Sequence, residues 1–168
     1  GQRQQQGEVA GQDSAVLALA EVFSTQGDFG YYTDNGTIYN TFDDARLERD
    51  NNDKSQLSAY SRWRVGSDWL RLTAADSFLA RQEGLPGPAN TPSPDVRLET
   101  LRNIATLQAE GGGMVRWQGR AWHQYRQELF DDQSGQIGTG NQWQESRFNT
   151  LGLLGSAAVA AAPWLVPS

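Results

Sequence analysis

The rhythm of its connections constrains this chain most. Six segments alternate apolar and polar residues or are rich in β-formers: residues 13–25, 54–66, 68–81, 98–110, 114–130 and 151–164. GSD joins the second to the third and EGGG joins the fourth to the fifth, both hairpin-type turns with the glycine such turns need. The remaining connections, residues 26–53, 82–97 and 131–150, are long. Unstructured connections above about 12–15 residues are uncommon inside compact domains. Here tight and long strictly alternate. In an antiparallel meander that gathers every short turn at one end and every long loop at the other. The expected fold class is all-β, an up-and-down antiparallel meander of about six strands.

Side chains alternate across a strand, so parity sorts the faces. In the second segment Leu57, Ala59, Ser61, Trp63 and Val65 oppose Gln56, Ser58, Tyr60, Arg62 and Arg64. The fifth places Val115, Trp117, Gly119, Ala121, Tyr125 and Leu129 against Arg116, Gln118, Arg120, Gln124, Arg126 and Glu128. The fourth agrees, with Leu101, Ala105, Leu107 and Ala109 opposite Arg102, Thr106, Gln108 and Glu110. One face is greasy and the other is rich in Arg and Gln.

A soluble sandwich also alternates, with strands of about 5–6 residues. These segments reach the roughly 9–11 residues that a tilted strand needs to cross a bilayer. Trp63, Trp69 and Trp117 stand within a few residues of the tight turns, and Trp164 sits where a third would follow. Indole rings favour the headgroup layer, where an apolar ring meets a wet N–H. Outer-membrane barrels have short turns at one end and long loops at the other. The sequence therefore reads as strands of a transmembrane barrel, with these four tryptophans at the membrane interface.

Composition narrows the alternatives. Mean hydropathy is -0.63. The longest apolar run, residues 151–166, contains Pro163 and falls short of the ~20 residues of a membrane helix. A net charge of -6 without a basic block argues against nucleic acid, which is held by clustered Lys and Arg. With no cysteine, disulfides and thiolate metal sites drop out. GQRQQQGEVAGQD lacks the charged and apolar regions of a signal peptide, so the chain is expected to be cytoplasmic or cut from something longer.

Three positions resist the pattern. Asp76 falls on the greasy parity at mid-depth, and a bulge near Ala74 and Ala75 would turn it inward. Glu21 is a similar blemish in a first segment of ambiguous parity. The sixth segment is apolar on both faces, so its inner side must pack against something other than water.

The loops carry a resemblance. GDFGYYTDNGT (27–37), FDD (42–44) and RDNND (49–53), then a strand and turn, then RQEGLPGPANTP (81–92), stand in an order and spacing that resemble TonB-dependent outer-membrane receptors, the vitamin B12 and siderophore branch especially. The likeness covers residues 15–126. It implies a bacterial outer-membrane receptor for active transport of a small-molecule ligand, energised through TonB, with outer-membrane lipid, TonB and a plug domain as partners. Neither a plug nor a TonB-contact segment is found in these residues. A barrel of about 22 strands at about 28 residues each would need roughly 600 residues, against 168 here. Residues 1–168 are thus expected to be a partial barrel domain, beginning and ending on the periplasmic side and prone to aggregate at its unpaired edges.

No catalytic group, metal or cofactor is expected, and the chain does not read as an enzyme. His123, the single histidine, lies on the outward parity without triad partners. The acidic loop 34–44 lacks EF-hand spacing and reads as a solvated loop. Phe29, Tyr31, Tyr32 and Tyr39 in the first long loop are the candidates for ligand contact, since loops carry specificity on rigid scaffolds; the alternative is that they pack together or join an aromatic girdle. Arg62, Arg64, Arg116, Arg120 and Arg126 face the lumen, lining an anion path or, as the resemblance implies, packing against a plug. Two other readings stand: a complete eight-stranded barrel with a structural or adhesion role, and a soluble β-sandwich binding module. The first needs two further strands, and only the Gln-rich first dozen residues are unused.

Overall fold

A computed structural model describes residues 5–9, 12–34, 37, 39–88 and 91–159, with side chains from residue 13 onward. Six long strands follow one another as a meander: β2 (Gln12–Thr25), β5 (Lys54–Gly66), β6 (Leu70–Gly84), β7 (Arg97–Gly112), β8 (Val115–Asp132) and β9 (Gln142–Val159). A short β1 (Gln5–Val9) adds to β2, giving one antiparallel sheet of order β1-β2-β5-β6-β7-β8-β9. The sheet is open, with β1 and β9 at its edges. The short turns lie at one end, where Ser67 N donates to Leu70 O (2.8 Å) and Gly113 N to Val115 O (3.3 Å). At the other end lie the long loops, the first carrying its own hairpin of β3 (Phe29–Thr33) and β4 (Ala45–Arg49).

Three expectations are corrected here. The last strand begins at Gln142, nine residues before the expected start. Apart from Trp143 and Phe148, residues 142–150 are polar on both faces, which hides their alternation, but β8 runs up to Asp132 and offers them a complete edge. Gln127 Nε2 donates across that edge to Glu145 Oε1 (2.5 Å). The Gln-rich start, read as having no strand, contributes β1, whose backbone pairing asks nothing of apolar side chains. Finally, no bulge turns Asp76. The β5–β6 and β6–β7 registers run unbroken through it, leaving Asp76 level with Ser61 and Ala105 on the apolar face. Asn103 Nδ2 donates to both of its oxygens (2.9 and 3.1 Å), a hydrogen-bonded solution in place of a backbone one. Glu21, opposite Ser58, belongs to the Arg-rich face.

Among the described residues no element packs on either face of the long sheet. The chain exposes 12731 Å², whereas a compact monomer of its mass would expose about 8,200 Å². Among the described residues Val96 is the one fully buried apolar side chain. It sits not under the sheet but among the loops. Asn51, at φ 58, donates from Nδ2 to Ser93 O (2.6 Å) and Val96 O (2.9 Å), tying the first loop to the second. Arg97 grips both carboxylate oxygens of Asp53 (2.7 and 2.6 Å) at the same seam. Asp132 accepts the backbone N–H groups of Gln136 and Ile137 (both 2.7 Å), and Gln136 Nε2 reaches Asp95 Oδ2 (2.8 Å). Residues from all three long connections are therefore stitched into one polar rim, while the strands below present two open faces.

Candidate functional site

Directly opposed residues of an antiparallel ladder share a face, so the continuous registers sort every position of the six strands. The apolar face carries Val16, Ala18, Ala20 and Val22 of β2, Leu57, Trp63 and Val65 of β5, and Leu70, Leu72, Ala74 and Phe78 of β6. It continues through Leu107 of β7 and Trp117 and Ala121 of β8 to Leu151 and Leu153 of β9. Leu151 and Leu153, on the edge strand, are 73% and 77% exposed. His123 is on this face too, its Nε2 donating to Asn149 Oδ1 (2.7 Å). Its partner is the side-chain amide of the directly neighbouring strand.

The other face gathers Arg62, Arg64, Arg116, Arg120 and Arg126, as parity required, together with Arg71, Arg81 and Arg102. Three of these eight are tied by acids: Arg71 to Glu110 (2.9 Å), Arg81 to Glu83 (3.2 Å) and Arg126 to Glu128. Arg62, Arg64, Arg102, Arg116 and Arg120 have no acidic partner among the described residues. Leu17, Leu19, Phe23 and Trp122 interrupt this face with apolar bulk. Trp122 was not singled out by sequence, and only its register opposite Gly152 reveals its role.

The first-loop aromatics come together only in part. Phe29 and Tyr31 meet edge to face at 6.3 Å, and the Arg49 guanidinium lies 5.9 Å from the Tyr31 ring centre. Arg49 also donates to Gly87 O, anchoring the hairpin to the second loop. On the hairpin's other side Tyr32 donates its hydroxyl to Asp44 Oδ2 (2.6 Å), and this bond raises the phenol above its ordinary value of 10.0. Tyr39 stands apart, 99% exposed, and is joined by a fully exposed Phe42 that sequence did not single out.

Of the four interface tryptophans, Trp63, Trp69 and Trp117 lie toward the short-turn end, and Trp164 falls outside the described residues. Trp143, near the loop end of β9, shares the apolar face with Trp117. It was overlooked because its strand was read as loop. A hollow of about 670 Å³ lies between the two short turns, lined by Trp69, Trp117 and the paired Arg71 and Glu110 among others. A shallower groove of about 440 Å³ runs along the sheet beside Arg102. Compared with known families, curated proteins and solved structures, the chain matches none.

Proposed function

We propose that this chain is part of a transmembrane barrel of the bacterial outer membrane, an uptake receptor taking a scarce nutrient such as a siderophore or corrinoid at its loop end. By resemblance, TonB energises transport and a plug domain fills the lumen. Phe29, Tyr31, Tyr32 and Tyr39 are the loop contacts with the ligand, and the Arg-rich face lines the interior.

One observation carries the membrane reading: the apolar band descends obliquely across the hydrogen-bond register. On β2 it runs from Val22 to Val16, between Ser24 and Ser14. Followed straight across, the Val22 level arrives at Gln127 and Arg147, and the Val16 level at Leu153. Yet on β9 the apolar positions start at Leu151 and continue to Val159, four to six residues nearer the short turns. Averaged from β2 to β9 this is about one residue per strand, roughly 3.3 Å for each 4.8 Å step or a slope of about 35°, while the loop-end edge stays level through Leu57, Ala80 and Leu101 and Leu129 of β8 lies above it. Barrel strands tilt by about 35–45° for closure. A belt that must stay level with a bilayer has to slip by this amount from strand to strand, and a packed soluble sheet has no such requirement.

The tryptophans support the same reading. Trp143 lies fourteen residues along β9 from Ala157, the partner of Trp117. That is about 46 Å along the strand, or about 38 Å of height at this slope, against roughly 40–45 Å for a bilayer with its headgroups. The test is extraction of the full-length gene product. It should sediment with outer membranes and need detergent for release, and recovery from the aqueous phase would overturn the reading.

A further inference from the structure

The groove beside Arg102 has opposite charges at its two walls and free hydroxyls on its floor. Glu21, Ser58, Leu79 and Arg102 stand in one register row across β2, β5, β6 and β7. Tyr60 and Ser77 are opposed in the neighbouring row on the same face. All six line the groove. Neither Glu21 nor Arg102 has an ion pair, and the Tyr60 and Ser77 hydroxyls have no hydrogen-bond partner among the described residues. Three strand steps, about 14 Å, separate the backbones that carry the two charges.

The register sets Arg102 apart from the other charges of its face. Its partner on β8 is Arg126, a like charge directly opposite, which is destabilising when the two guanidiniums approach. Arg126 is held by Glu128 on its own strand. Arg102 has no such acid beside it and lines the groove together with Leu79, Tyr60 and Ser77. A guanidinium and two hydroxyls are donors suited to an oxyanion, with the planar fork of Arg matched to a carboxylate. At the far wall Glu21 repels a second anion and attracts a cation.

We propose that this groove is a binding site for a small zwitterion, its carboxylate held by Arg102, Tyr60 and Ser77 and its ammonium directed to Glu21. The proposal goes beyond uptake at the loop end and does not depend on what meets the opposite face. It therefore stands or falls separately from the extraction test.

Glycylglycine is the probe, titrated into the full chain in detergent at constant ionic strength while the arginine side-chain N–H resonances are followed by NMR. The Arg102 resonance should shift saturably and those of Arg64 and Arg120 should not. Acetate should bind at least tenfold more weakly, and ethylammonium should leave Arg102 unmoved. Arg102→Gln should raise the glycylglycine Kd at least tenfold. Glu21→Gln should raise it while leaving the acetate Kd unchanged. Absence of a saturable shift in the unsubstituted chain overturns the site without recourse to any variant. So does an Arg64→Gln effect equal to that of Arg102→Gln, which would mark diffuse attraction, or indifference of glycylglycine to Glu21→Gln.

Discussion

The indole of Trp122 covers the backbone of Gly152, its directly opposed partner on β9, so closely that a Cβ on Gly152 would stand 2.0 Å from Trp122 Cζ2. Trp117 covers Gly111 in the same way on the opposite face, at 2.7 Å. Each pair lets a large ring lie flat along a neighbouring strand that has no side chain of its own, a device that pins register in open sheets. Gly152→Ala should lower the unfolding free energy of the full chain by about 1–3 kcal/mol, the usual cost of overpacking. Combined with Trp122→Ala, the double variant should lose less than the sum of the two single changes, because the clash needs both partners. Urea unfolding measures all three, and additive losses would show that ring and glycine do not meet.

Asn51 should be the costliest polar residue at the loop end to replace. Its amide holds two main-chain carbonyls and its backbone sits at φ 58, a region where Asn is tolerated and Ala is not. Asn51→Gly keeps the backbone conformation and loses only the bonds, so it should cost about 1–3 kcal/mol. Asn51→Ala should cost more by about 1–2 kcal/mol. Limited proteolysis should then cut within residues 85–96 faster in both variants, Ala before Gly. Equal cutting of all three proteins would mean that Asn51 does not hold the second loop.

What the sequence made legible follows where each strand had only one neighbour type to satisfy. On β5 and β8 Arg and Gln alternate with apolar residues, and parity alone assigned Arg62, Arg64, Arg116, Arg120 and Arg126 to one face. Residues 142–150 carry mostly polar side chains on both faces, so their strand shows only when β8 is set beside them. Asp76 shows the converse. Taken singly it demanded a bulge, but Asn103 on the next strand supplies both hydrogen bonds, and cross-strand neighbours are invisible to a one-dimensional pattern. The groove residues Glu21, Tyr60, Ser77 and Arg102 come from four strands and are adjacent only in register. The loop seam through Asn51 is similar, since it depends on a backbone conformation that no periodicity announces.

The Tyr32–Asp44 bond makes the outer hairpin sensitive to alkali. Asp44 accepts a hydrogen bond from the phenol and its charge opposes ionisation, so the folded-state value lies above 10.0. A group whose folded value is raised contributes its stabilisation fully below the unfolded value and loses it as pH rises through the folded one. The hairpin should therefore keep this bond through neutral pH and loosen only above about pH 10. Tyrosinate absorbance should show one phenol titrating late, and Asp44→Asn should bring it back toward 10.0. An unchanged titration curve in Asp44→Asn would dissociate the shift from this hydrogen bond.

Adjacent leucines on β9 test the proposal that one face of the sheet meets lipid and the other water. Leu153 lies within the apolar band and Leu154 on the Arg-rich face, and both are open, at 77% and 68% exposure. If the band is solvated by acyl chains, Leu153→Arg near mid-belt should cost about 2–4 kcal/mol. Leu154→Arg should stay within about 0.5 kcal/mol, as ordinary surface changes do. The two substitutions add the same side chain one residue apart, so helix or strand propensity and net charge cancel in the comparison. The difference between them, read from urea unfolding of the full-length protein in lipid vesicles, isolates what each face touches. Two equal effects would mean that both faces see water, and the oblique band would then need another cause.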